Sequence, residues 1–188
     1  NSNYGYSTAA YSKGEVFMEQ LGYIVGASVR DKILLEYYNR WRFKHPNAND
    51  FIRVAEDVSG IQLDWYKEYW VNTTKTIDYK IDSLWEENGV SKIRLKRIGN
   101  MPMPIDLQLT YADGSTEMFN IPLNLMFGNK PNEAPVQKRE VLEEWRWTHP
   151  TYIVEMKHRL TDVKIAEIDP SKRMADVDRK NNKLELTW

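Results

Sequence analysis

His149 and His158 stand nine residues apart and, with His45, are the only histidines in 188 residues. Imidazole nitrogens ligate zinc, but a zinc site needs further donors, and no local carboxylate spacing supplies a third ligand. These residues therefore read as ordinary polar histidines at strand ends. Asp176, Asp178 and Asn181 carry the oxygens that calcium takes. A calcium loop shows more acceptors and a glycine at its sharp turn, so the segment reads as a solvated terminal turn. Trp145 and Trp147 lie two apart, which on a strand puts both rings on one face, able to stack on a sugar; packing into a core is the commoner use of such a pair. No hydrolase motif is complete: the chain has no His-Glu-x-x-His, no phosphate-binding glycine loop and no Gly-x-Ser-x-Gly. It has no cysteine, which excludes a thiol nucleophile, a disulfide scaffold and a thiolate zinc ribbon.

The elements that carry these residues fall into two groups. Of 23 aromatic residues, 14 lie in residues 1–75, where apolar positions recur at helical spacing. Phe51, Val54, Ala55 and Val58 make the cleanest stripe, with Asn49 as its expected cap and Gly60 as its stop. Phe17, Leu21 and Ile24 share one helical face and Val29, Ile33, Tyr37 and Trp41 another, with a break at Gly26. Leu63 to Trp70 adds a short aromatic helix, so four helices are expected. From Thr76 the period changes to two. Ile77, Tyr79 and Ile81 lead through an Asn88-Gly89 hairpin turn to Ile93 and Leu95; Ile105 to Tyr111 and Phe119 to Leu123 flank the Ala112-Asp113-Gly114-Ser115 turn. Strands over Val141 to Trp147, Tyr152 to Met156 and Val163 to Ile168 bring the count to about seven, as expected of an immunoglobulin-like sandwich. Asn124 to Lys138, with Pro131 and Pro135, is too long for a hairpin and reads as a crossing between sheets.

Tyr6-Ser7-Thr8-Ala9-Ala10-Tyr11-Ser12-Lys13-Gly14 resembles the tyrosine motif of the gluzincin aminopeptidases, the aminopeptidase N family, in which tyrosine followed by x-Lys-Gly opens a helix downstream of the zinc-binding helix. Tyr37 to Phe43, His45-Pro46, Asp50-Phe51 and Ser59-Gly60 followed by Leu63 and Trp70 match the run after that tyrosine in order and at similar spacing, so the resemblance covers roughly residues 4–71. The Asp169-Pro170 turn and the Asp176-x-Asp178-x-x-Asn181-Asn182 ending resemble the domain that follows. The resemblance implies an α+β chain in two domains. Residues 1–75 would be the helical end of a thermolysin-like catalytic domain, and residues 76–188 an immunoglobulin-like antiparallel β-sandwich. It also implies that Tyr11 is catalytic. When a peptide carbonyl is attacked, its oxygen develops negative charge and needs a donor placed for the tetrahedral state, which a neutral phenol supplies at pH 7. Tyr6, five residues earlier, takes the position of a second tyrosine lining the substrate site.

In this family zinc is held by two histidines and a glutamate that precede the tyrosine, as does the base glutamate. This chain begins ten residues before Tyr11 without an initiator Met, and so reads as cut from something longer. Zinc and a peptide substrate belong to the parent enzyme; the fragment is expected to hold no metal, to be inactive alone, and to have the upstream part of the same polypeptide as its partner. Two alternatives stand beside this: a non-catalytic relative serving as an interaction scaffold, and a sandwich module that binds peptide or glycan. With 26 basic against 27 acidic residues, the net charge of -1 offers no field for nucleic acid. No apolar run reaches the ~18–20 residues of a membrane span, and Asn1-Ser2-Asn3 does not open a signal peptide. The chain reads as soluble, with compartment, side-chain preference and any domain after Trp188 left open.

Overall fold

Gly26 breaks the first long helical stretch because its backbone, at φ 88° and ψ 144°, suits a residue without a side chain. A Cβ there would also stand 2.9 Å from Pro131 Cγ. The computed structural model describes residues 3–133 and 139–187, which form two compact units. The first comprises the described residues up to Thr74 with Met126–Glu133 and Arg173–Ala175, and the second comprises the other described residues.

The first unit is helical. Helix α1 (Asn3–Ser7) runs through a π-helical turn (Thr8–Ser12) into α2 (Lys13–Val25), and α3 (Ala27–Trp41), α4 (Ala48–Ser59) and α5 (Asp64–Asn72) follow. The helix expected after Lys13 thus starts further upstream, at Asn3. Asn47, rather than the expected Asn49, caps α4: its Oδ1 accepts from the Asn49 and Asp50 amides at 2.8 and 3.3 Å, while Asp50 Oδ2 accepts from the Asn47 amide at 2.9 Å. Gly60 ends α4 in the left-handed conformation, as read from the sequence.

Aromatic rings, most of them half-buried, link the helices of this unit. Phe17 of α2 stacks on Tyr66 of α5 at 4.8 Å between centroids and meets Phe51 of α4 at 6.1 Å, and Phe51 in turn takes the edge of Tyr37 of α3 at 5.1 Å. Of these rings Tyr66 is fully buried, as are the aliphatics Leu21, Ile24, Ile33, Ile52 and Leu63. The Tyr66 hydroxyl donates to the Phe17 carbonyl, which satisfies it inside the core, and burial raises its pKa well above the ordinary tyrosine value. Gln20, 1% exposed, fixes the returning segment: its Nε2 donates to the Arg173 carbonyl at 2.7 Å and its Oε1 accepts from the Ala175 amide at 3.0 Å.

The second unit holds eight strands among its described residues: β1 (Tyr79–Glu87), β2 (Val90–Arg97), β3 (Ile105–Tyr111), β4 (Thr116–Ile121), β5 (Arg139–Val141), β6 (Thr151–Met156), β7 (Val163–Ile168) and β8 (Lys183–Glu185). Asn88 at φ 52° and Gly89 at φ 77° make the tight hairpin between β1 and β2. In β3, buried Ile105, Leu107, Leu109 and Tyr111 alternate with partly exposed residues, as the period of two demands.

The immunoglobulin-like antiparallel sandwich is not what forms. The strands make a three-stranded sheet in the order β1-β2-β6 and a five-stranded sheet in the order β5-β4-β3-β7-β8, and neither is closed or curled. The larger sheet is mixed, because β5 pairs parallel to β4. Alternation along one strand reports which face is buried but says nothing of neighbour order or direction. The connection after β4 returns the chain parallel, as a long crossover permits and a hairpin does not; its Pro135 lies outside the described residues. The strand expected over Val141 to Trp147 shrinks to β5 and a single parallel bridge between Leu123 and Trp145.

The Asp176 turn is not solvated either. Asp176 is only 8% exposed; its Oδ2 accepts from the Tyr79 amide and its Oδ1 from the Asp178 amide, both at 2.9 Å, while Val177 N donates to Ile77 O at 3.0 Å. The polar side chain faces the backbone at the start of β1 instead of water. Burial holds the Asp176 carboxyl above its ordinary value of 3.8, the Asp78 charge adds to the shift, and the two amides oppose it. An acid with a raised folded pKa binds its proton more tightly when folded, so its contribution to stability falls as pH rises from the unfolded value through the folded one, and stays low above it. Asp176→Ala is expected to cost about 1–3 kcal/mol in urea melts, because a buried amide loses its acceptor. In melts repeated across the acid range, the difference in stability between wild type and variant should shrink as pH rises.

Candidate functional site

Tyr6 lies on α1 and Tyr11 on the π-helical turn. In a regular α-helix residues five apart point about 140° away from each other around the axis. The wider turn, in which Lys13 N donates to Thr8 O, alters that register. The two rings meet edge to face, 6.2 Å between centroids with planes at 83°. Each residue is 67% exposed, and neither hydroxyl has a hydrogen-bond partner among the described residues. Tyr4, 82% exposed, extends the aromatic surface.

The other two members of the motif behave differently. Lys13 Nζ donates to Thr73 O at 3.1 Å, just past the end of α5, where the last carbonyls of a helix favour a cation. This bond ties the tyrosine-bearing turn to the rest of the unit. Gly14 has no atom within 4 Å of where a Cβ would stand. Glycine in a helix interior costs about 1 kcal/mol relative to alanine, and nothing inside this unit requires it. One turn from Tyr11, it leaves the helix surface bare. A phenol with a free hydroxyl, held by a paired ring and an anchored lysine, can donate one hydrogen bond to an oxygen that approaches it.

The residues that the sequence offered as other sites are scattered. His45 and His149 are exposed, and His158 stacks on Tyr111 at 4.2 Å. Among the described residues no three His, Asp or Glu side chains are grouped to hold a metal ion, and the chain has no cysteine. The described residues therefore offer no ligand set for the zinc that the family resemblance assigns to the parent enzyme. No helix of the described residues is long and apolar enough to cross a membrane. Trp145 and Trp147 do not share a face: Trp145 is 3% exposed, packed between Tyr79 and Tyr152, whereas Trp147 is 38% exposed.

Sequence reasoning missed the surroundings of Trp147. An open cleft of about 490 Å³ is lined by Asn124, Glu143, Glu144, Arg146, Trp147 and Thr148. Its signal was the alternation of charged and aromatic residues in Glu143-Glu144-Trp145-Arg146-Trp147, which reads equally as a strand. Comparison with family models and with curated proteins finds no match for this chain.

Proposed function

We propose that this chain is part of a zinc aminopeptidase of the gluzincin type, which hydrolyses N-terminal residues from peptides. Tyr11 donates to the oxyanion of the tetrahedral state and Tyr6 lines the substrate site beside it. The observation that carries this reading is Tyr11-x-Lys13-Gly14 where the π-helical turn passes into α2, with its free phenol, anchored lysine and bare glycine. Wide turns of this kind recur at functional sites. A donor kept for substrate has no reason to bond within its own chain. The zinc ligands and the base belong, on this reading, to residues upstream of Tyr11.

The region encoded upstream of Asn1 is then expected to contain His-Glu-x-x-His and a later glutamate. Sequencing that region tests the proposal. Both elements together support it, a degenerate version selects a non-catalytic relative acting as a scaffold, and an unrelated segment overturns it. Elemental analysis and an activity assay of the 188-residue chain alone are expected to find neither stoichiometric zinc nor cleavage of aminoacyl substrates. Zinc retained with chelator-sensitive turnover would overturn the upstream placement of the ligands.

A further inference from the structure

The segment around Trp147 in the second unit is a loop held rigidly from both sides. Trp145 N donates to Pro122 O at 2.7 Å, Asn124 N to Trp145 O at 3.2 Å and His149 N to Arg146 O at 2.8 Å. Asn124 Oδ1 accepts from Trp147 N at 2.9 Å, and Arg97 Nη2 donates to Trp147 O at 2.6 Å. The buried Trp145 ring anchors the loop, with its Nε1 bonded to His149 O at 2.9 Å. These bonds leave the Trp147 ring partly exposed at the cleft of about 490 Å³.

Apart from Asn124, the polar side chains around that ring make no hydrogen bond to the described residues. The carboxylates of Glu143 and Glu144, the Arg146 guanidinium and the Thr148 hydroxyl make no hydrogen bond or ion pair among the described residues, although acid and base stand two to three positions apart. Elsewhere on the surface such neighbours pair, as Lys80 does with Asp82 at 2.8 Å and Lys67 with Asp64 at 3.4 Å. An indole face beside carboxylate acceptors and guanidinium or amide donors suits a ligand with one apolar face and a rim of groups that both donate and accept. A pyranose has that form: its C–H face covers the ring, and its hydroxyls reach the charged groups. A cationic side chain would be attracted by the two carboxylates and the ring but repelled by Arg146. An apolar ligand would leave the carboxylates desolvated and unpaired.

We infer that the cleft lined by Trp147, Glu143, Glu144 and Arg146 is a binding site for a neutral pyranose. It is independent of the role assigned to Tyr11. The preformed loop removes the ordering cost, but an open cleft covers only one side of the ligand, so a single sugar is expected to bind with a Kd of about 1 mM.

The test is a titration of the 188-residue chain with the methyl glycosides of glucose, galactose, mannose and N-acetylglucosamine, with the indole N–H signals followed by NMR. Trp147→Phe assigns the relevant signal. At least one glycoside should shift the Trp147 signal saturably and leave that of Trp145 in place. Saturation transfer to the same glycoside should disappear in Trp147→Ala and its affinity should weaken about tenfold in Glu144→Gln, a loss of one or two hydrogen bonds to a charged acceptor. An unmoved Trp145 signal in the variants shows that the loop has kept its fold. Failure of every glycoside to move Trp147 overturns the inference without touching the peptidase reading. So does saturation transfer that persists in Trp147→Ala. Response to N-acetyl-arginine amide with none to the glycosides replaces the sugar with a cationic peptide side chain.

Discussion

On the peptidase reading proposed above, Tyr11→Phe in the complete protein is expected to lower kcat by about 10²–10³ and leave KM nearly unchanged. The substitution keeps the ring, its edge contact with Tyr6 and the helix, and removes only one O–H donor. A donor aimed at charge that appears in the tetrahedral state stabilises that state more than the ground state, so its loss falls on turnover. In the 188-residue chain the same change should leave the melting temperature within error, because no described residue takes a hydrogen bond from Tyr11. The two measurements must agree with each other. A destabilised 188-residue chain with unchanged turnover would show that Tyr11 packs or bonds structurally, and the peptidase proposal would lose the residue that carries it.

Trp145→Ala is expected to cost the second unit about 3–5 kcal/mol, the loss that follows from emptying a buried indole site. The ring touches Tyr79 at 5.5 Å and Tyr152 at 5.4 Å between centroids, and its Nε1 satisfies His149 O at 2.9 Å. Truncation therefore leaves a cavity and an unpaired carbonyl together. Trp147→Ala, two residues on, should stay within about 0.5 kcal/mol of the wild type, as surface changes usually do. Urea midpoints of the two variants compare them directly, and similar losses at both positions would refute the division of labour between the tryptophans.

The parts of the fold that were legible in the sequence are those that short-range stereochemistry decides. Gly26 and Gly60 marked helix ends because each takes a backbone conformation that side chains resist. Alternation marked the strands, β3 most clearly, because burial on one face of a pleat requires it. Sheet order stayed hidden, since the parallel β4–β5 pairing depends on a long connection and not on any residue within the strands. Asp176 looked solvated because aspartate usually is, and only the neighbouring Tyr79 amide, 97 positions away in the chain, explains its burial. Tyr11 was legible as a member of a motif. That its hydroxyl is free and that Tyr6 lies against its ring follow from the π-helical turn, for which the residue types carry no periodic signal.

The Gln20 clamp has a consequence for biosynthesis. Its carboxamide lies in the first unit, but both backbone groups that satisfy it come from Arg173 and Ala175, which the ribosome adds about 100 residues after the last helix of that unit. At about 5–20 residues per second the nascent helices wait on the order of 5–20 s with a polar group that has neither its partners nor a place in the core. The first unit is therefore synthesised early and finished late. A nascent chain that ends at Thr74 lacks both backbone groups that satisfy Gln20.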